Sequence, residues 1–159
     1  MNKLLPPARH DTTATMARRS PFTLVDLQRR VVKYLRVSVT DRCNYRCTYC
    51  MPAEGVPVVP RAQLCTFEEY ARIVSVFVGL GVSHVRLTGG EPLARRGIVD
   101  LVAEIARIDG VRDLAMTTNG HLLADMAADL KQAGLRRVNV SLDSVRSETF
   151  ARITRNGDA

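Results

Sequence analysis

The sequence predicts an α/β protein in which parallel strands alternate with helices. Patterns of strand, loop and helix follow one another four times, at intervals of about 25 to 30 residues. The notable polar motifs come directly after predicted strands, and in a parallel α/β barrel such loops share the face that carries the active site. We therefore expect four βα units whose loops converge on one site.

The first two units are marked by short apolar strands and by helix-start signals. The strands are predicted over residues 35–39 and 84–87. Residues 66–69, Thr-Phe-Glu-Glu, form a capping box that opens a helix, which we expect to end at Gly81. Its apolar positions recur at helical spacing and should face the core: Tyr70, Ile73, Val74, Phe77 and Val78. A second helix is predicted over residues 98–108.

The last two units repeat the pattern. Strands are predicted over residues 114–117 and 137–142, and helices over residues 122–132 and 148–153. An Asn-Gly turn separates the third strand from its helix.

Composition limits the class of protein. The chain is 46% apolar, and it contains neither a run of about 18 apolar residues nor an apolar signal region, so we expect a cytoplasmic protein without membrane attachment. Residues 1–22 are predicted to be a disordered basic arm, followed by one domain over residues 23–159. The net charge of +7 indicates an anionic ligand or a solvated basic tail, and 5% aromatic residues argue against nucleic acid.

Three cysteines follow the first strand with C-x3-C-x2-C spacing: Cys43, Cys47 and Cys50. Three thiolates so close in sequence should converge on one point and bind a soft metal. The triplet favours an iron–sulfur cluster, because structural zinc usually uses separated C-x2-C pairs. Two alternatives stay open, a zinc site that adds Cys65 and a Cys47–Cys50 disulfide. We expect Cys65 to be an ordinary small buried residue.

Polar motifs follow the other strands. In the Gly-Gly-Glu-Pro sequence of residues 89–92, the glycines would let the backbone approach a ligand, and Glu91 could accept from a cationic amino group. The alternative is an ordinary tight turn. Residues 117–120, Thr-Thr-Asn-Gly, form another turn.

Two further features indicate a ligand-filled interior. Asn139, Ser141 and Asp143 alternate along the fourth strand and should point the same way; exposure at an unpaired edge is the alternative. Arg36 and Arg86 each lie in a strand between apolar neighbours. An arginine buried there without a partner would be too costly, so each arginine lies on the surface or binds an anion.

Together these motifs resemble the radical S-adenosylmethionine (SAM) enzymes. Residues 34–52, with the three cysteines and Tyr49, closely resemble the GTP 3′,8-cyclase family of molybdenum cofactor biosynthesis. Residues 85–92, 117–120 and 139–144 follow in that family's order and spacing, so the resemblance covers roughly residues 24 to 155.

The resemblance implies a role for nine residues. Cys43, Cys47 and Cys50 would hold a [4Fe–4S] cluster. The implied SAM contacts are Tyr49, Gly90 and Ser141. The implied GTP contacts are Arg36, Arg86 and Thr117. No side chain is assigned a catalytic role.

The resemblance also implies a reaction and a fold. GTP would be converted to (8S)-3′,8-cyclo-7,8-dihydroguanosine 5′-triphosphate, with SAM and an electron donor as partners and without nucleic acid or membrane; a homodimer stays open. The family's barrel has six strands, so residues 23–159 would form a truncated partial (βα)6 radical-SAM barrel that cleaves SAM slowly without cyclising GTP. The alternatives are a peptide-modifying radical SAM enzyme and a basic zinc module that binds nucleic acid.

Overall fold

A computed structural model describes residues 23–155, so the predicted basic arm at residues 1–22 lies outside the described residues. Four parallel strands form one sheet in the order β1-β2-β3-β4. The strands are β1 Tyr34–Ser38, β2 His84–Thr88, β3 Asp113–Thr118 and β4 Arg137–Val140. The helices are α1 Phe67–Gly79, α2 Ile98–Ala106, α3 Leu123–Gln132 and α4 Ser147–Thr154, with short 3-10 turns at Arg61–Gln63 and Pro92–Ala94. The predicted α/β fold with four βα units is confirmed.

The core lies between one face of the sheet and the helices. Side chains alternate between the two faces of a strand, so every second residue of β1, β2 and β3 turns towards the helices. Val85 and Leu87 of β2 are completely buried there, as are Leu101 and Ile105 of α2. Because this face is closed by apolar packing, a ligand has to bind on the other face or at the strand ends.

The opposite face of the sheet is polar, and we call it the polar sheet face. It carries these residues of the four strands: Arg36, Ser38, Arg86, Thr88, Thr117 and Asn139. The register places Arg36 beside Arg86 and Thr117 beside Asn139. Residues paired across parallel strands project to the same face, so the two arginines are direct neighbours.

Helix α1 confirms the capping box and corrects two details. Thr66 accepts from the backbone of Glu69, whose side chain accepts from the backbone of Thr66. Ile73 was predicted to be buried, but it is 41% exposed, because the helix presents only a narrow stripe around Tyr70 and Val74 to the core. Gly81 is not the C-cap itself.

Helix α1 ends in a Schellman motif, and its C-cap lies one residue before Gly81. Leu80 is the C-cap, and Gly81 follows in the left-handed conformation at φ 98°. The backbone N–H of Gly81 donates to Val78, and that of Val82 donates to Phe77. Glycine therefore ends the helix as the residue after the cap, which is its usual position in this motif.

Strand β4 is shorter than predicted. It ends at Val140 instead of residue 142, and all four of its residues are exposed. The cause is its position, since β4 pairs only with β3 among the described residues. No helix of residues 23–155 is long and apolar enough to cross a membrane.

Candidate functional site

The cysteine loop, residues 41–52, follows β1 and is anchored on α4. The backbone N–H of Arg46 donates to the carbonyl of Thr154 at 2.9 Å, and that of Thr48 donates to the carbonyl of Ile153 at 2.9 Å. The last carbonyls of a helix lack intrahelical partners, so the loop satisfies groups that α4 leaves open. The carboxyl end of α4 is therefore part of the loop's scaffold.

Tyr45 fixes the middle of the cysteine loop. Its side chain is only 4% exposed, and its ring makes edge contacts with Phe150 of α4 at 5.7 Å and with His121 at 5.8 Å. The Tyr45 hydroxyl lies 3.4 Å from Nδ1 of His121. One buried ring thus joins the cysteine loop to α4 and to the loop after β3.

The four described cysteines are free thiols. Burial raises the pKa of the Cys43 and Cys47 thiols, and repulsion from neighbouring thiolates of the loop adds to both shifts. Cys43, Cys47 and Cys50 therefore share one electrostatic neighbourhood. Cys65 packs against the hydrophobic core, as expected for a small packing residue.

The donor set of the cysteine loop fits an iron–sulfur cluster. Among residues 23–155, no three His, Cys, Asp or Glu side chains are placed to hold one metal ion. The expectation that the thiolates converge on one point stays a prediction. Zinc needs its sulfurs at about 2.3 Å from one centre, whereas each cysteine of a [4Fe–4S] cluster binds a different iron. Three neighbouring thiols in one loop match the donor set of such a cluster.

Gly89 and Gly90 allow the loop after β2 to touch the cysteine loop. The backbone N–H of Gly90 donates to the carbonyl of Thr40, and that of Glu91 donates to the carbonyl of Arg42, both at 2.7 Å. A Cβ added at Gly90 would lie 2.2 Å from the Arg42 oxygen, and one at Gly89 would lie 2.5 Å from the Thr40 oxygen. The predicted need for close backbone approach is real, but the structure shows protein backbone as the approaching group.

Glu91 is buried and hydrogen-bonded within the protein. It is 1% exposed. Its Oε1 accepts from the Thr118 hydroxyl at 2.6 Å and from the Leu93 backbone at 2.9 Å, and its Oε2 accepts from the Asn119 backbone at 2.7 Å. The carboxylate that was expected to accept from a ligand's amino group thus accepts three hydrogen bonds from the protein itself.

Asn119 connects the loop after β3 to the cysteine loop. Its Nδ2 donates to Oδ1 of Asn44 at 2.8 Å, and its Oδ1 accepts from the backbone of His121 at 3.0 Å. Asn44 directly follows Cys43. Three loops from neighbouring strands are thus joined by side-chain contacts.

The residues predicted to contact SAM lie in three loops at the carboxyl ends of strands. Tyr49 belongs to the cysteine loop, Gly90 follows β2, and Ser141 follows β4 and donates its backbone N–H to Thr118 at 2.8 Å. The Tyr49 hydroxyl donates to both carboxylate oxygens of Asp143, at 3.0 and 3.1 Å. Burial and this hydrogen bond raise the pKa of Tyr49, so its hydroxyl stays protonated and able to donate.

The residues predicted to contact GTP meet on the polar sheet face. Arg86 donates from Nη1 to the Thr117 hydroxyl at 3.1 Å, and its guanidinium lies 5.8 Å from the centre of the Tyr34 ring. Its Nε is buried without a partner among the described residues. Arg36 is the exposed cross-strand neighbour of Arg86. Two like charges side by side repel, so this face is suited to an anion.

Sequence reasoning missed the residues that hold the site together. Tyr45, Asn44 and His121 were assigned no role, and Glu91 was assigned a ligand. The signal for Tyr45 and Asn44 was their position inside the cysteine motif. Their partners are far away in sequence, so only the fold identifies the contacts.

Comparison with known proteins agrees with these observations. Residues 37–159 match the model of the Radical SAM superfamily. A GTP 3′,8-cyclase of Geobacter sulfurreducens is 53% identical over 135 residues, which are 85% of this chain and 41% of that relative. The chain thus spans about two fifths of the length of the curated relatives it matches.

Solved structures show the same fold at low identity. BtrN, crystallised with AdoMet and 2-DOIA, has a TM-score of 0.55 and 18% identity, covering 78% of this chain and 51% of BtrN. SuiB of Streptococcus suis bound to S-adenosylmethionine has a TM-score of 0.57 and 19% identity, covering 76% of this chain and 27% of SuiB. From the family match and the cysteine loop at the end of β1, the chain belongs to the Radical SAM superfamily.

Proposed function

We propose that this chain carries the cluster, SAM and part of the GTP site of a GTP 3′,8-cyclase, a radical SAM lyase of molybdenum cofactor biosynthesis. The observation that carries the proposal is the Arg36–Arg86 pair on the polar sheet face. The cysteine loop follows β1, the strand that contains Arg36. Curated relatives about half identical to this chain are named GTP 3′,8-cyclase. A cluster loop and an anion-binding face on one sheet suit a reaction between SAM and a nucleoside triphosphate.

Cys43, Cys47 and Cys50 are proposed to hold a [4Fe–4S] cluster, and Tyr49, Gly90 and Ser141 to contact SAM. When bound and reduced, the cluster supplies the electron that cleaves SAM to a carbon radical. The cysteines must deprotonate to bind iron, and the raised pKa values of Cys43 and Cys47 mean that binding releases protons at neutral pH. Support for the SAM contacts comes from their position in loops at the carboxyl ends of the strands.

Arg36, Arg86 and Thr117 are proposed to bind GTP. The buried Nε of Arg86 needs an acceptor, and a phosphate or ribose oxygen would provide one. The Thr117 hydroxyl and the Tyr34 ring hold the Arg86 guanidinium in place. These side chains bind and orient the substrate, and they take no proton from it.

The proposal includes a reductant and a compartment. The cluster needs an electron donor, and free thiols persist in a reducing cytoplasm. The product is proposed to be (8S)-3′,8-cyclo-7,8-dihydroguanosine 5′-triphosphate, with the whole protein as the catalyst.

The test is anaerobic reconstitution of residues 1–159 with iron and sulfide, followed by separate assays of GTP binding and of SAM cleavage to 5′-deoxyadenosine. We expect iron uptake, slow SAM cleavage and GTP binding that Arg86→Ala weakens. Cys47→Ala is the control that should lose the cluster and SAM cleavage together. Failure of the wild-type chain to bind iron would contradict the proposal. So would an unchanged GTP affinity in both Arg36→Ala and Arg86→Ala.

A further inference from the structure

A continuous set of polar contacts joins the loops that follow β1, β2 and β3. We propose that Glu91 and Asn119 are positioning residues, which hold the cysteine loop in its metal-binding shape before any ligand arrives. This inference deepens the proposed function, on which it rests only in taking the cysteines as cluster ligands. Neither residue is proposed to touch SAM or GTP through its side chain.

The first step is the burial of Glu91. Its carboxylate is almost inaccessible, and within residues 23–155 it forms no ion pair. Its charge is instead balanced by three hydrogen-bond donors, from Thr118, Leu93 and Asn119. A buried carboxylate loses much stability if its donors are removed, so these contacts hold the two loops firmly together.

The second step is the fixed orientation of the Asn119 amide. Its backbone is held by Glu91, its Oδ1 accepts from His121, and its Nδ2 donates to Asn44. Turning the amide over would place its NH2 group against the N–H of His121. One orientation is therefore strongly preferred, and it is the orientation that presents a donor to the cysteine loop.

The third step is the position of Cys43, which is held from both sides. On one side, the carbonyl of Arg42 accepts from the backbone N–H of Glu91 at 2.7 Å. On the other side, Asn44 accepts from Asn119 at 2.8 Å. Both contacts come from the loops that Glu91 joins, so displacement of Glu91 would release Cys43 at two points.

The competing role for Glu91 is a ligand-binding one, in which its carboxylate accepts from the amino group of SAM. The two roles predict opposite results. A positioning residue controls how firmly the loop holds iron, whereas a ligand-binding residue controls the affinity for SAM once the cluster is in place.

The experiment compares four variants of the full chain: Asn44→Ala, Asn119→Ala, the double variant Asn44→Ala/Asn119→Ala, and Glu91→Gln. Gln132→Ala, at the exposed end of α3, is the matched amide control. Two quantities are measured on reconstituted protein. One is the rate of iron loss to a chelator, and the other is the Kd for SAM of the cluster-loaded protein. A third is measured on metal-free protein, namely the alkylation rate of each loop cysteine by mass spectrometry, with Cys65 as the internal reference.

We expect Asn119→Ala to speed iron loss about tenfold, as befits one buried hydrogen bond, and to speed alkylation of Cys43 relative to Cys65. The double variant should be no worse than Asn119→Ala, because both single variants remove one shared contact. The Kd for SAM should change less than threefold, and Gln132→Ala should match the wild type. If Glu91→Gln fails to fold, the asparagine variants alone decide.

Two results would overturn the inference. One is an unchanged rate of iron loss in the asparagine variants and in Glu91→Gln, combined with a weakened Kd for SAM. The other is additive effects of the two asparagine substitutions. If the wild-type chain took up no iron, the proposed function would fail, while the alkylation rates would still decide whether Glu91 and Asn119 hold the loop.

Discussion

The guanidinium of Arg86 donates a 3.1 Å hydrogen bond to the hydroxyl of Thr117 on the adjacent strand. This contact uses one nitrogen of a side chain whose Nε is buried and unpaired within the described residues. One N–H group of the guanidinium is thus held by Thr117, while the Nε–H group has no acceptor among the described residues. The proposed GTP site would use this guanidinium, because guanidinium groups bind phosphate oxygens with two parallel N–H groups.

Replacing Arg86 by alanine should weaken GTP binding by about ten- to a hundredfold, the range for a lost hydrogen bond to a charged group. Iron content should stay unchanged, because Arg86 lies on β2 and outside the cysteine loop. Arg72→Ala, on the exposed surface of α1, is the matched control and should bind GTP normally. Calorimetry gives the affinity and iron assay the cluster content; loss of the cluster in Arg86→Ala would count against the assignment.

Single replacement of Cys43, Cys47 or Cys50 by alanine should strongly reduce the iron bound per chain after anaerobic reconstitution. Cys65→Ala should retain iron, because this residue packs against the core. The measurement is iron and sulfide per chain, with the visible absorbance of the cluster. An equally severe loss in Cys65→Ala would show that the fourth cysteine is a ligand and would revive the zinc interpretation.

Gly90→Ala should detach the loop after β2 from the cysteine loop. The new Cβ would lie 2.2 Å from the Arg42 oxygen, which is backbone and cannot move away cheaply. We expect a loss of stability of about 2 kcal/mol or more, in the range of overpacking in a closed site. Gly79→Ala is the matched control, since nothing lies within 4 Å of a Cβ there.

Gly79→Ala should leave the stability of the protein unchanged or raise it by about 0.5–1 kcal/mol, the usual helix preference of alanine over glycine. Urea unfolding of the metal-free protein measures both variants. Equal stability of Gly90→Ala and the wild type would mean that the two loops are not in contact.

The Asp113–Arg137 pair predicts a pH dependence for the attachment of β4. The hydrogen bond from Arg137, at 3.0 Å from Nε, holds the pKa of Asp113 below its ordinary value of 3.8. A lowered carboxyl pKa in the folded state adds stability above pH 3.8, and this contribution is lost as the pH falls through the folded value. Asp113→Asn should therefore be less stable than the wild type at pH 6, and the difference should shrink below pH 3.8.

Denaturant midpoints across that range measure the effect, which should be small because the pair is exposed. Asp125→Asn on α3 provides the control for removing an exposed carboxylate. The same pH dependence in the Asp113 and Asp125 variants would exclude the role of the ion pair.

Local patterns were sufficient to predict the elements of this fold. Strands rich in branched apolar residues and the Thr66 capping box depend on neighbours in sequence, and both were confirmed. Gly81 was predicted to be the C-cap of α1, and it lies one residue after the C-cap, Leu80. Ile73 was misplaced because the width of a helix's buried stripe depends on what packs against it. β4 ends early because an edge strand has one partner among the described residues.

The site itself was predictable only in part. The cysteine spacing identifies its own chemistry, and the lone strand arginines indicate an anion. Glu91, by contrast, looks in sequence like a free acceptor, and only the fold shows that Thr118 and Asn119 occupy it. A buried polar residue is defined by partners that lie far along the chain, and local pattern carries no record of them.

The anchoring of the cysteine loop on α4 has a consequence for synthesis. The amides of Arg46 and Thr48 pair with carbonyls near the end of the described chain, at Thr154 and Ile153. During translation the thiols leave the ribosome before those carbonyls exist, so the nascent loop lacks its contacts with α4. Iron delivered to a growing chain would meet a loop without this anchor, so we expect the proposed cluster to be held firmly only after α4 is made. Ribosome-stalled chains that stop before and after α4 would reveal this delay as a step in the protection of Cys43 from alkylation.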